Sequence, residues 1–450
     1  MGKMRETGLT GTSQRRALSR RRLLAAAATL GGGALASACA GGSEGGPGAR
    51  SAARGTVSFM SQQAGAVDQG RYKPVVDAFN AQGGPVQIEL QEGGGGVAEV
   101  LQKLVTTVAA DTAPDLFWTH CYINPALVKA RIPADLSDFM RRDRDFKPAA
   151  YFETSLKDYE WEGRPYGVSL WATTTVLLAN LSLFAKNGVA PPAEGWTWED
   201  FLKAAQQLSR GAGSEQTWGV GASTDNLPIV KAWQEGGDMV DKTRTRWTLH
   251  ETPAVEQVQW VADLTTRHRV WPERGADPGW NSGRVGMVVA LSDYAPYNKA
   301  EFEWDVFHLP RGKARLTRTA SAGLSLAAGG KNKDAAWVAF TYLSSRPMYE
   351  NLARLGVTIP TLKEVASSPL VLRPDQPPRS AKVALDAFAY ARTEPINGEW
   401  ATVRAEYAKA LGEVFAGNAS ARQALAAIVP VVEPLLGKAP PTPPAGRPAS

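Results

Sequence analysis

The chain has 450 residues, 44% of them hydrophobic, with 50 Lys and Arg against 44 Asp and Glu and only two cysteines. That is enough apolar material for two or three domains or one bilobed unit, and two cysteines exclude a cysteine-based zinc site. Seven basic residues (Lys3, Arg5, Arg15, Arg16, Arg20, Arg21, Arg22) and one acidic residue, Glu6, lie in residues 1–38, so the remainder carries 43 of each sign. The basic balance belongs to the leader, and the body has no electrostatic footprint for nucleic acid.

The leader reads as an export signal. "LSRRRLLAAAATLGGGALASAC" has a basic segment ending at Arg22, an apolar run from Leu23 and small residues before Cys39. Ser19 to Leu24 resembles a twin-arginine motif, and Ala36-Ser37-Ala38-Cys39 resembles a lipoprotein signal peptidase site that leaves an acylated Cys39 as the first residue. Ala36 stands where lipoproteins usually carry a branched aliphatic, and an ordinary cleaved signal or an uncleaved anchor is the alternative. The apolar run is short of the ~20 residues of a membrane span. With Cys39 lipidated, Cys121 has no disulfide partner. Residues 39–54, rich in Gly, Ser and Ala, read as a flexible tether with a reach of about 20 Å, and residues 437–450, rich in Pro, as a disordered tail.

In the body, "TVSFM" (56–60) predicts a strand and "YKPVVDAFNAQ" (72–82) a helix that presents Val75, Val76 and Phe79 on one face and stops at Gly83-Gly84. "VQIEL" (86–90) alternates as a strand does. Helical spacing of Val97, Leu101, Leu104, Val105 and Val108 follows, and "PDLFW" closes a strand, helix, strand, helix, strand series. That order predicts an α/β fold with a parallel sheet. In such sheets ligands sit beyond the carboxyl ends of the strands. The candidates there are Ser61-Gln62-Gln63, Gln91-Glu92 with the glycines 93–96, and Trp118-Thr119-His120. The four glycines read equally as a flexible turn or as backbone that lets a ligand approach.

Farther on, Thr197 and Asp200 form a box-like helix start, and "NKDAAWVAFTYLSS" (332–345) and "EWATVRAEYAKALGEVFAG" (399–417) predict amphipathic helices, the second stopped by Gly417. No HExxH, phosphate loop with its lysine, or Gly-x-Ser-x-Gly elbow occurs, and His120, His250, His268 and His308 are dispersed. Neither a metal nor a cofactor is expected. Paired carboxylates for glycoside chemistry stay open, because their separation is spatial.

Tryptophan is abundant, with fourteen in the chain. Trp337 reads as core, whereas Trp118, at a strand end, reads as a platform for the C–H face of a sugar. Replacing Trp118 by Ala is then expected to weaken binding without unfolding the protein. His120 is either a ligand contact or a hydrogen-bonded loop residue. Trp280, before Asn281-Ser282-Gly283, reads as a rim aromatic, with core as the alternative.

"PDLFWTH", "ADLSDF", "GRPYGVSLWATTTVLLANLSLFAKNGV", "WTWEDFLKAAQQLS", "WQEGGDMVD", "NSGRVGMVVALSDY", "WDVFHLPRG" and "SAGLSLAAGGKNKDAAWVAFTYLSS" with "LGVTIP" occur in that order. Together they resemble the extracellular, sugar-binding solute-binding proteins of ABC transporters, the family that includes maltose-binding protein, from about Val57 to Val432. The resemblance implies a two-lobed α/β periplasmic-binding-protein fold of type II with a ligand cleft between lobes. It implies crossings near Gly167–Thr175, Trp304–Pro310 and Gly356–Pro360, one lobe of residues 55–168 with 311–355 and another of 172–303 with 361–435. Cleft residues carried over are Ser61, Gln63, Trp118, His120, Thr173, Asn226, Tyr294 and Trp400. Acidic residues that grip maltose align with Gln63 and Thr173, which points to another carbohydrate or a polyol.

The expected function is therefore capture of a carbohydrate for an ABC permease by a monomeric, lipid-anchored protein outside the cytoplasmic membrane, without catalysis or nucleic acid. The alternatives are an exported carbohydrate-active enzyme, or a binding protein for a polyamine, a peptide or another non-sugar solute.

Overall fold

The computed structural model describes residues 53–436 apart from 63–65, 222, 224–225, 274, 295 and 357. The export signal, Cys39, nearly all of the tether, Gln63 and the C-terminal tail lie outside the described residues.

Alternating apolar residues build β1 (Gly55–Ser61), β2 (Val86–Glu92) and β3 (Leu116–His120), joined through α1 (Ala66–Asn80) and α2 (Val97–Ala109). The order β2-β1-β3 is parallel throughout, as the strand and helix alternation predicts. After short helices and a separate two-stranded hairpin (Glu160–Trp161 with Arg164–Pro165) comes the thirteen-residue β4 (Val168–Asn180), buried along its whole length, and farther on α3 (Trp198–Leu208) and β5 (Trp218–Val220). Thr197 and Asp200 make the reciprocal bonds of a capping box at the start of α3.

The chain continues with α4 (Leu227–Gln234), α5 (Ala254–Thr266), β6 (Val285–Leu291), β7 (Trp304–Phe307) and β8 (Thr317–Leu326), then α6 (Lys333–Leu343) and α7 (Arg346–Leu355). Short β9 (Ile359–Pro360) and β10 (Ala391–Arg392) precede α8 (Trp400–Phe415), beyond which Gly417 turns at positive φ.

These ten strands form one mixed sheet in the order β2-β1-β3-β8-β4-β6-β5, with β7 and β9 also on β4 and β10 on β8. The long β4 joins its two parts. Residues Val168 to Thr174 pair antiparallel with β8, and Thr175 to Asn180 pair with β6 and β7. One apolar core surrounds β1 to β3 and β8, built on Phe59, Phe117, Leu324 and Phe340. Three others flank the β6 part and the C-terminal helices.

One expectation needs correction. The sequence pattern ends the third strand at Trp118, but β3 runs on to His120 because β8 pairs with it antiparallel, Ala322 opposite His120 and Leu324 opposite Trp118. Trp118 therefore lies inside a central strand, 1% exposed, instead of beyond its end.

Candidate functional site

Pairing register decides which side chains share a face. On β8, Arg318, Ala320, Ala322 and Leu324 alternate on one side of the sheet. Opposite them stand Thr173 (at Ala320), His120 (at Ala322) and Trp118 (at Leu324). Trp118, His120, Thr173 and Arg318 are thus brought to a common face by strands that start up to 201 positions apart in sequence.

His120, half-buried, lies between aromatic neighbours, its ring centroid 6.1 Å from Trp118 and 4.7 Å from Tyr122. Its Nδ1 accepts the Tyr122 backbone N–H at 3.2 Å. Burial, reinforced by the Arg318 charge and only partly offset by Glu394, holds the imidazole down to about 3, so it is neutral at physiological pH.

Beyond His120 the side chains converge on one carboxylate. Glu394, fully buried, accepts from the Tyr122 hydroxyl (2.7 Å to Oε1), Arg318 Nε (2.6 Å to Oε1) and Trp400 Nε1 (2.9 Å to Oε2), and Arg404 Nε stands 3.6 Å from Oε2. Burial alone would raise the Glu394 carboxyl. The charges of Arg318 and Arg404, with the hydrogen bonds from Arg318 and Trp400, outweigh it and hold the group below the usual range. Both guanidinium groups also approach the Tyr122 ring, at 5.3 and 5.9 Å from its centroid. Trp400 and Arg404 lie four apart on α8, hence on one face of it.

The remaining expected residues divide. Ser61 is buried at the end of β1, where its carbonyl accepts from Gly93. Thr173 Oγ1 reaches the Ala320 carbonyl at 3.5 Å, and Asn226 is buried at the start of α4 with Oδ1 unpartnered. Tyr294 and Trp280 belong to a different apolar cluster, with Val176 and Leu178 on the Thr174 side of β4. Trp280, 7% exposed, packs edge to face against Tyr297, Phe302 and Trp304, so the expectation of a rim aromatic gives way to core packing. Tyr294 borders a cavity of about 40 Å³ shared with Thr358 and Ser292. That volume holds water and not a sugar ring.

Four members of the cluster were missed from sequence: Tyr122, Arg318, Glu394 and Arg404. A guanidinium inside an otherwise buried strand, as in "LTRTASAG", was a signal for Arg318, since such a charge needs a partner. Nothing local marks Glu394. Among the described residues no group of three His, Cys, Asp or Glu could hold a metal ion.

What this arrangement offers a ligand is a phenol, a carboxylate and two guanidinium groups in a partly buried cluster, with the Trp118 indole on its β3 side and the Trp400 indole on its α8 side. These groups stack on a ring and exchange hydrogen bonds with hydroxyls.

A family model described as bacterial extracellular solute-binding protein matches residues 75–376. The arabinooligosaccharide-binding protein of Bacillus subtilis (strain 168) is 27% identical over 174 residues, 38% of this chain and 38% of that protein's own length. An ABC substrate-binding protein from Listeria monocytogenes in complex with cycloalternan superposes with a TM-score of 0.77 at 21% identity, covering 85% of this chain and 99% of that one. The GacH receptor of Streptomyces glaucescens, solved unliganded and with acarbose, gives 0.72 at 22% identity, covering 86% and 100%. The mixed α/β fold with its large sheet is the fold of these two-lobed proteins.

Proposed function

We propose that this chain, which belongs to the bacterial extracellular solute-binding proteins, captures a carbohydrate, a sugar, oligosaccharide or polyol, and delivers it to an ABC permease. The family is one of binding proteins and not of enzymes, and its location is extracytoplasmic. The observation that carries the carbohydrate reading is the convergence of Trp118, His120 and Tyr122 from the β3 end on Glu394 and Trp400 from the C-terminal segment. Aromatic faces and charged hydrogen-bonding groups at one spot are the chemistry a sugar needs. The names of the similar proteins, which bind arabinooligosaccharide, cycloalternan and acarbose, support the same class.

In this reading, residues 55–168 with 311–355 and residues 172–303 with 361–435 are two lobes that part along the Tyr122–Glu394 contact to admit the sugar and close over it. A closed state gains from ligand only if both lobes touch it. The excess of guanidinium over carboxylate in the cluster disfavours a polyamine. Export by the twin-arginine route, a lipid on Cys39 as the membrane anchor and a monomeric state complete the proposal.

Native mass spectrometry of freshly purified protein tests it, with the expected result a retained adduct of hexose or oligosaccharide mass. Incubation with oligosaccharides adds a second arm: stoichiometric retention without turnover is expected, whereas products accumulating beyond one equivalent would overturn the reading.

A further inference from the structure

Charge at the cluster narrows the ligand, on the premise that the ligand is a carbohydrate. Among the described residues Glu394 is the only carboxylate paired with Arg318 or with Arg404, so two guanidinium groups share one anion. His120 contributes no charge of its own. The Arg318 side chain is 3% exposed, and its Nη1 is buried with no hydrogen-bond partner; Arg404 Nη1 is in the same condition. Both groups lie beside the Tyr122 ring, 5.3 and 5.9 Å from its centroid, and both bond to Glu394 or stand next to it. Trp118 Nε1, on the same side of the sheet, is a third buried donor without an acceptor.

A buried donor left unpaired is costly, and an uncompensated buried charge more so. The hydroxyls of a neutral sugar supply acceptors but leave the positive charge standing. An oxyanion supplies both acceptor and charge, and a guanidinium fork matches a carboxylate or phosphate in two parallel bonds. We propose that the solute is an anionic carbohydrate, a sugar bearing a carboxylate or a phosphate ester, whose oxyanion is held by Arg318 and Arg404 beside Glu394 while its ring lies against the Trp118 and Trp400 side.

Isothermal titration of the full chain with matched probes tests this: galacturonate and glucuronate, galactose 6-phosphate and glucose 6-phosphate, galactose and glucose, and the trimers of galacturonate and galactose. The expected result is that an acidic member binds at least about tenfold tighter than its neutral counterpart, with the advantage shrinking as salt is raised. The ratio of uronate to phosphate ester identifies which oxyanion the site takes. Arg404→Gln is expected to bring the acidic sugar down to its neutral counterpart, and Arg404→Lys to retain part of the preference. Equal binding of acidic and neutral sugars overturns this inference and leaves the carbohydrate reading standing. An acidic preference undiminished in Arg404→Gln overturns the assignment to Arg404. Binding of no sugar in the panel, charged or neutral, overturns both readings.

Discussion

Tyr122 and Glu394, 272 positions apart in the chain, share a 2.7 Å hydrogen bond between the segment that follows β3 and the segment that leads into α8. Around that bond gather the charges and rings on which the functional reading depends, and its neighbours set what substitution there does.

Glu394→Gln leaves Arg318 facing no carboxylate in a buried position. Removal of one member of a buried pair costs about 3–5 kcal/mol, whereas Tyr122→Phe, which deletes one hydrogen bond to a charged group, costs about 1.5–3 kcal/mol. Urea unfolding of the two variants is expected to give that order, with Glu394→Gln the less stable.

Burial changes the expectation for Trp118. The sequence reading holds that Trp118→Ala spares the fold, but the indole lies in the first core beside Phe117 and Leu116. Its truncation is expected to cost about 3–5 kcal/mol. Trp118→Phe keeps most of the packing and is the better test of ligand stacking: reduced sugar affinity with a thermal midpoint within a few degrees of the parent is expected.

Trp280→Ala separates core from site. Loss of this ring from its cluster with Phe302 and Trp304 is expected to destabilise by about 3–5 kcal/mol. Ligand affinity measured below the unfolding transition is expected to stay at the parent value, because Trp280 lies in the cluster on the other side of β4.

Two half-buried groups oppose each other in pH dependence. Burial, partly countered by the Ser321 hydrogen bond, raises Asp158 to about 7. Its folded value is above the unfolded one, so the stability it contributes is complete below about 4 and is lost as pH rises through about 7. His120 is held at about 3, below its unfolded value. The stability it contributes is therefore complete above about 6.5 and is lost as pH falls toward 3. Between about pH 4 and 6.5 the two slopes cancel. Relative to the parent, Asp158→Asn is expected to lose stability as the solution is acidified across that range and His120→Gln to gain it, measured by urea unfolding at several pH values.

The local signals were sound where structure is local. Thr197 with Asp200 marked a helix start, the three parallel strands followed from alternation, and Gly417 marked a helix end. What escaped depends on partners far along the chain. Nothing in residues 113–120 reveals that β8, some 200 positions later, extends β3 through His120 and buries Trp118. Glu394 looks like any loop carboxylate until Arg318 and Arg404 are placed beside it. Trp280, in a glycine-bearing stretch, carries the local composition of a rim residue, and only the arrival of Phe302 and Trp304 makes it core.

The most direct test of the account is a crystal structure of the protein with its bound sugar. The account predicts the sugar within hydrogen-bonding distance of Arg318, Glu394 or Arg404, a ring against Trp118 or Trp400, and the Tyr122–Glu394 bond parted. A sugar bound elsewhere, for example beside Tyr294, with that bond intact, would contradict it.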